Sequence, residues 1–305
     1  MFRDIRCAVV GSINMDLILN TDRLPAEGES LPGNSYGYAC GGKGANQATG
    51  LARLGAQTSM IGMVGDDANG HKLIENLKNN GIDTSNVSLQ GSQSGLATIL
   101  LEKGGKKNRI IVFEGANAEI DPDIAAGCIT DDLDLLLVQF ETREEVVIKT
   151  VNRAVEKGIT TVVDCGPAKS FPLEKIQGIT NISPNESETK ELTGFYRKVV
   201  ESMLTASQIL LERSKAKYVV LKLGDRGCSV YDGKDITLCP PYPADVVDTT
   251  AAGDSFTAAM ALEFKRSGDI YSACDMGNKA GSIAVSRMGA DASMPTAKEI
   301  LNISR

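Results

Sequence analysis

Near-continuous apolar runs of strand length recur along this chain, each closed by a glycine or a polar residue. They are Arg6-Cys7-Ala8-Val9-Val10-Gly11, Gln57 to Met63, Asp134-Leu135-Leu136-Leu137-Val138-Gln139-Phe140, Thr160 to Cys165, Ile179 to Ser183 and Lys217 to Leu223. Apolar residues without alternation suit strands buried on both faces, as in a parallel sheet. Helical periodicity fills Ala45 to Leu54 up to Gly55, Asn69 to Asn80 up to Gly81, Ala251 to Arg266, Ile270 to Ser286 and Ala297 to Asn302. Strands alternating with helices predict an α/β fold, a mostly parallel central sheet with helices on both faces. Two stretches break the pattern. Leu17 to Cys40 is rich in Gly, Pro and polar residues with short alternations such as Ser35-Tyr36-Gly37-Tyr38, and Ala97 to Leu101 with Arg109 to Phe113 reads as a hairpin across Gly104-Gly105. These excursions, about 17–40 and 95–113, could pair into a small β-sheet lid on the main body. No linker, repeat or low-complexity segment divides residues 1–305, so a single domain is expected.

A net charge of −7 argues against general affinity for nucleic acid, which is bound through clustered Lys and Arg. No apolar run reaches the roughly 18 residues of a membrane span, and Met1-Phe2-Arg3-Asp4 enters the first strand without a signal-peptide core. A cytoplasmic protein with no membrane partner is the expectation. Seven cysteines, an odd number with no C-x-x-C pair, suit free buried thiols in a reducing compartment. His71 is the only histidine, which sets aside His-based zinc sites and His-dependent nucleophile triads and leaves a carboxylate or lysine as any general base.

The stretch with the most chemistry is Asp248-Thr249-Thr250-Ala251-Ala252-Gly253-Asp254-Ser255-Phe256, where an extended Val-rich segment meets a helix. Side chains as small as those of Ala251, Ala252 and Gly253 let a ligand reach the first-turn N–H groups, which have no partner inside the helix and attract anions. A carboxylate at Asp254 could there take a proton from a hydroxyl while the amides hold a phosphate. The same residues would equally serve a tightly packed helix with an acid at its positive end. Asn14 and Asp16 fall just past the first strand, where α/β sheets bind ligands, although turn residues would look alike. Gly41-Gly42-Lys43-Gly44-Ala45-Asn46-Gln47-Ala48 opens a helix; with the preceding residues it nearly matches a Walker A loop, but Gly44 stands where Ser or Thr should hold magnesium. Close backbone approach to a polar ligand, or a plain turn, would both use these glycines. Glu141 ends the Leu135 run, as a site residue or as a helix N-terminal acid ahead of Glu144 and Glu145. No G-x-G-x-x-G follows any strand, so a dinucleotide site is not indicated.

Taken together, Gly11-Ser12-Ile13-Asn14-Met15-Asp16, the Gly41 to Ala48 run, Pro184-Asn185-Glu186-Ser187-Glu188 and Asp248 to Phe256 resemble the ribokinase-like carbohydrate kinase family, in order from end to end. The resemblance implies transfer of the ATP γ-phosphoryl group to a sugar hydroxyl, with the 5-hydroxyl of D-ribose as the expected acceptor; other sugars, nucleosides and a non-catalytic sugar-binding protein are the alternatives. By the same resemblance Asp254 is the base and Ala251, Ala252 and Gly253 form the anion hole. Asn14, Asp16, Gly42, Lys43, Asn46 and Glu141 match sugar-binding positions. Asn185, Lys222, Gly224, Asp225, Arg226, Gly227 and Asn278 match ATP contacts. Glu188 matches an acid associated with magnesium and phosphate, and Asp248, Thr250, Ala284, Arg287, Gly289 and Ser293 match a potassium site. A homodimer through the lid is also implied. Two departures stand out: Lys222 replaces a frequent Thr, and Asp164-Cys165-Gly166-Pro167 replaces an Asn-Pro-containing run.

Overall fold

The computed structural model describes residues 2–102, 108–195 and 199–303. Along the chain the strands are β1 (Arg6–Val10), β2 (Asn14–Thr21), β3 (Ser35–Gly41), β4 (Gln57–Val64), β5 (Asp83–Leu89), β6 (Gly95–Glu102) and β7 (Asn108–Phe113). They continue with β8 (Leu135–Gln139), β9 (Thr160–Asp164), β10 (Asn181–Ser183), β11 (Tyr218–Lys222), β12 (Cys228–Tyr231) and β13 (Ile236–Cys239). Among the described residues the larger sheet has the order β13-β12-β11-β10-β9-β8-β1-β4-β5. It is parallel from β11 to β5 and ends in the antiparallel strands β12 and β13.

Alternation across this sheet explains the continuous apolar runs. Cys7 and Val9 of β1, with Leu135 and Leu137 of β8, join the core on one face, while Ala8, Val10, Leu136 and Val138 join the core on the other. The helix Lys43–Arg53 packs on Ala252–Ser267 on the first face, and Glu144–Glu156 covers the second. β1 is flanked by β4 and β8, so the strand order turns there, and the carboxyl ends of β1 and β8 open a crevice of the kind in which α/β sheets bind ligands.

The second sheet has the order β3-β2-β6-β7, with β2 and β6 parallel and both outer pairs antiparallel. The Gly104-Gly105 turn expected between β6 and β7 lies outside the described residues. Tyr36, Tyr38, Ile110, Ile111, Val112 and Phe113 are exposed on this sheet. Asn14 and Asp16 sit on β2 itself, not in a turn: the ladder to β3 and β6 starts at Asn14. The polar, half-exposed β5 has no apolar run to announce it, and the Val-rich segment expected to be extended before Asp248 forms no strand: Val246 and Val247 are exposed, with a bend at Val247. No described helix is long and apolar enough to cross a membrane.

Candidate active site

The helix Ala252–Ser267 aims its N-terminus into the crevice, and Ala251, its N-cap, holds φ +57°, a left-handed conformation that costs an L-residue about 1–2 kcal/mol. The turn brings the Gly253 backbone beside the Lys222 ammonium: a Cβ built on Gly253 would lie 3.7 Å from Lys222 Nζ. One amide is diverted, since Ala252 N–H donates to Thr249 carbonyl oxygen at 3.3 Å. Asp254, on the first turn, is buried. Asn46 Nδ2 donates to its Oδ2 at 3.0 Å and Gln47 Nε2 to its Oδ1 at 3.1 Å. Burial raises the Asp254 pKa and Asp164 adds to it, against the Lys43 ammonium and the two amide donors.

On the side of Asp254 facing the small sheet lie the positions expected to bind sugar. Asp16 is 7% exposed, and among the described residues no hydrogen bond reaches its carboxylate. Burial raises its pKa to about 7, with Glu141, Asp254 and Asp291 adding repulsion. Gly41, the ladder partner of Asn14, leaves the space the Asp16 carboxylate fills, because a Cβ there would lie 2.3 Å from Asp16 Oδ2. Asn14 Oδ1 accepts from Asn117 Nδ2 at 2.7 Å, and Asn117 also braces the Ile13 backbone. Asn46 Oδ1 is buried without a partner. An orphaned acceptor and an unbonded carboxylate beside it are what a polyhydroxy ligand would satisfy. Gly42, at φ +91°, packs on the backbone of Ser12 and Asn14, and Glu141 accepts from Ser12 Oγ and, at 3.0 Å, from Lys43 N–H.

The other side of Asp254 opens into a cleft of about 740 Å³ lined by Lys43, Asn185, Lys222, Gly224, Asp225, Gly227, Gly253 and Asn278 among others. Lys43 belongs here by its ammonium, which lies beside Gly166 as does Glu188 Oε1, although its backbone belongs to the sugar-side loop. Burial works against its charge, and the carboxylates of Asp254, Asp164, Glu141 and Glu188 outweigh it, raising the pKa. Glu188 is buried with a raised pKa. Both its oxygens are taken by Asn185, from N–H at 2.7 Å and Nδ2 at 2.8 Å, in a capping box. Asn278 Nδ2 donates to the Cys239 and Pro240 carbonyls at 3.1 Å each, and Arg226 pairs with Glu186 at 2.8 Å. Behind Asn278 the scattered cysteines of the sequence converge: the sulfurs of Cys228, Cys239 and Cys274 lie within 4.8 Å of one another, all buried.

Of the expected potassium positions, Asp248, Thr250 and Gly289 come together. Asp248 Oδ1 accepts from Thr250 N–H (2.9 Å) and Oγ1 (2.6 Å), and Oδ2 from Gly289 N–H (2.9 Å). These bonds outweigh burial and lower its pKa. The Ala284 carbonyl accepts Arg287 N–H at 3.1 Å; the Arg287 guanidinium turns away to Glu299, and Ser293 Oγ donates to the Ala290 carbonyl at 2.7 Å.

The motifs named Asp254 and Asp164 but not the bridge between them. Gln47 Nε2 touches both Asp254 Oδ1 and Asp164 Oδ2 at 3.1 Å, and Gln139 Nε2 orients it from 2.7 Å. Asn117 and Thr257 were silent in sequence, since their partners lie about a hundred residues away, and Asp164 stood out only as a departure in a motif, without its partners.

A parallel sheet with its switch-point crevice, a helix N-terminus beside a buried acid, and a cleft leading to it define a phosphotransferase of the sugar-kinase class. The family model for pfkB family carbohydrate kinases matches residues 4–297, and the chain belongs to that family. It is 36% identical to a ribokinase of Bacillus subtilis over 96% of this chain and 97% of the relative. It is 28% identical to a deoxyribokinase of Salmonella typhi over 96% of each. The structure of Arabidopsis thaliana ribokinase complexed with ribose and ATP superposes with a TM-score of 0.88, at 31% identity and full coverage of both chains.

Proposed function

We propose that this protein is an ATP-dependent ribokinase, which transfers the γ-phosphoryl group of ATP to the 5-hydroxyl of D-ribose with Asp254 as the general base. The observation that carries this reading is Asp254 itself, buried at the boundary between the unbonded polar groups of Asp16 and Asn46 and the cleft that holds Lys43 and Lys222. Asp16 offers two free oxygens to adjacent ring hydroxyls, which favours ribose over a sugar lacking one of them. Asn14, Asn46 and Glu141 shape the same pocket. Asn185, Gly224, Asp225, Gly227 and Asn278 line the expected ATP cleft, with Arg226 held beside them.

Transfer of this kind depends on positioning and charge more than on covalent chemistry. The P–O bond to ADP breaks as the sugar oxygen bonds to phosphorus, and the hydroxyl proton passes to Asp254. Magnesium fits Glu188 only at one remove, because both carboxylate oxygens accept from Asn185; Glu188 would orient the metal's waters, and the ion would supply charge neutralisation on the phosphates. Potassium fits the oxygen-rich turn around Asp248, Thr250 and Gly289, with backbone carbonyls such as that of Ala284 and the neighbourhood of Ser293, but not the Arg287 guanidinium. There it would stiffen the turn leading to Ala251. The seven free cysteines suit a cytoplasmic enzyme.

A coupled ADP-release assay across pentoses, 2-deoxyribose, hexoses and nucleosides tests the reading. Ribose should give the highest kcat/KM; a higher value for any other acceptor would overturn the substrate assignment.

A further inference from the structure

The two departures from the pattern of similar kinases, Asp164 and Lys222, meet in the fold. Lys222 Nζ donates to Asp164 Oδ2 at 2.7 Å, with side chains 11% and 2% exposed. The pair lies beside the anion hole, with the Lys222 ammonium 3.7 Å from where a Cβ on Gly253 would stand, and both residues line the cleft. An ammonium has three donors. Asp164 is the one hydrogen-bond acceptor of the Lys222 side chain among the described residues, which leaves two donors to face a ligand.

Asp164 is also tied to the base. Its Oδ2 accepts from Thr257 Oγ1 at 2.8 Å and Gln47 Nε2 at 3.1 Å, its Oδ1 from Gly166 N–H at 3.2 Å, and the same Gln47 amide reaches Asp254 Oδ1. One amide group therefore sets the spacing between the carboxylate that holds the cation and the carboxylate that would take the proton. We infer that Lys222 is a catalytic residue that donates to the γ-phosphoryl group during transfer, and that Asp164 and Gln47 are positioning residues that fix this cation relative to Asp254. This deepens the kinase reading above and rests on it. The step adds no reactant: the phosphoryl group still leaves ADP for the sugar oxygen, and Lys222 keeps its proton, neutralising charge on the equatorial oxygens.

Removing one member of a buried ion pair strands the other charge, whereas replacing both can leave stability intact. The test therefore compares Asp164→Asn, Lys222→Thr and the charge-balanced double variant with wild type, by thermal melting and by kcat and KM for each substrate with ribose and MgATP. Both single variants should melt lower. The double variant should melt near wild type and keep its ribose KM, with kcat lower by about 10²-fold, the cost of losing one donor to a transition-state oxyanion. A positioning role has a second readout. Asp254 faces Lys43, Asp164 and Asp16, and with Asp164 neutral the acid limb of the kcat profile should move to lower pH. A double variant with wild-type kcat would overturn the role of Lys222. An Asp164→Asn enzyme with wild-type kcat and an unshifted acid limb would overturn that of Asp164. Failure of the kinase reading is distinct, because the wild-type protein itself would then release no ADP with any sugar.

Discussion

Asp16 is a carboxylate placed where the fold alone does not want a charge. Its pKa is raised to about 7 from a model-compound value of 3.8, by burial first and then by neighbouring acids. An acid whose folded-state pKa lies above its unfolded value binds more protons in the native state between the two, so stability falls as pH rises through that window. From pH 4 to pH 8 the ligand-free enzyme should lose up to about 4 kcal/mol on this account, roughly three pKa shifts of 1.36 kcal/mol each. Urea unfolding at both pH values checks it: Asp16→Asn should flatten the loss while raising the ribose KM, and equal pH slopes for the two proteins would refute it. In the sequence Asp16 was visible as a polar residue near a strand end, but its isolation was not, because that depends on Gly41, Glu141 and Asp254 closing around it. Gln47 is the sharper case. It lies inside a motif that could be recognised, yet its role depends on Gln139, Asp164 and Asp254, which only the packed sheet brings near.

At the scale of elements, the start of Ala252–Ser267 was legible because small residues before a periodic run open a helix under either reading of them. The conformation of its cap was not. Ala251 at φ +57° carries a Cβ where glycine would be unstrained. Ala251→Gly should therefore stabilise the protein by about 1 kcal/mol, read from the midpoint of urea unfolding; a destabilised variant would show that the alanine methyl is needed there. The small sheet was readable by composition, and Tyr36, Tyr38 and Ile110 to Phe113 are its exposed apolar residues. We propose that it acts as a lid that tightens on substrate and keeps water from the phosphoryl group. Hydrogen exchange of β2, β3, β6 and β7 should slow on adding ribose, and unchanged protection would count against closure.

For the molecule as a whole, the parallel sheet was the easiest feature to read, since strands buried on both faces leave unbroken apolar runs. Its edge was not: β5 is half exposed and mostly polar. The order of strands, which no local pattern encodes, is what puts the ends of β1, β8, β9 and β11 around one crevice, with Asp254 between the Asp16 and Asn46 side chains and the cleft lined by Lys43 and Lys222. That placement is the central claim, and the turnover of Asp254→Asn with saturating ribose and MgATP tests it most directly. A folded variant should lose about 10²–10⁴ in kcat with ribose KM little changed, as removal of a general base requires; a folded variant that turns over like wild type would contradict the account.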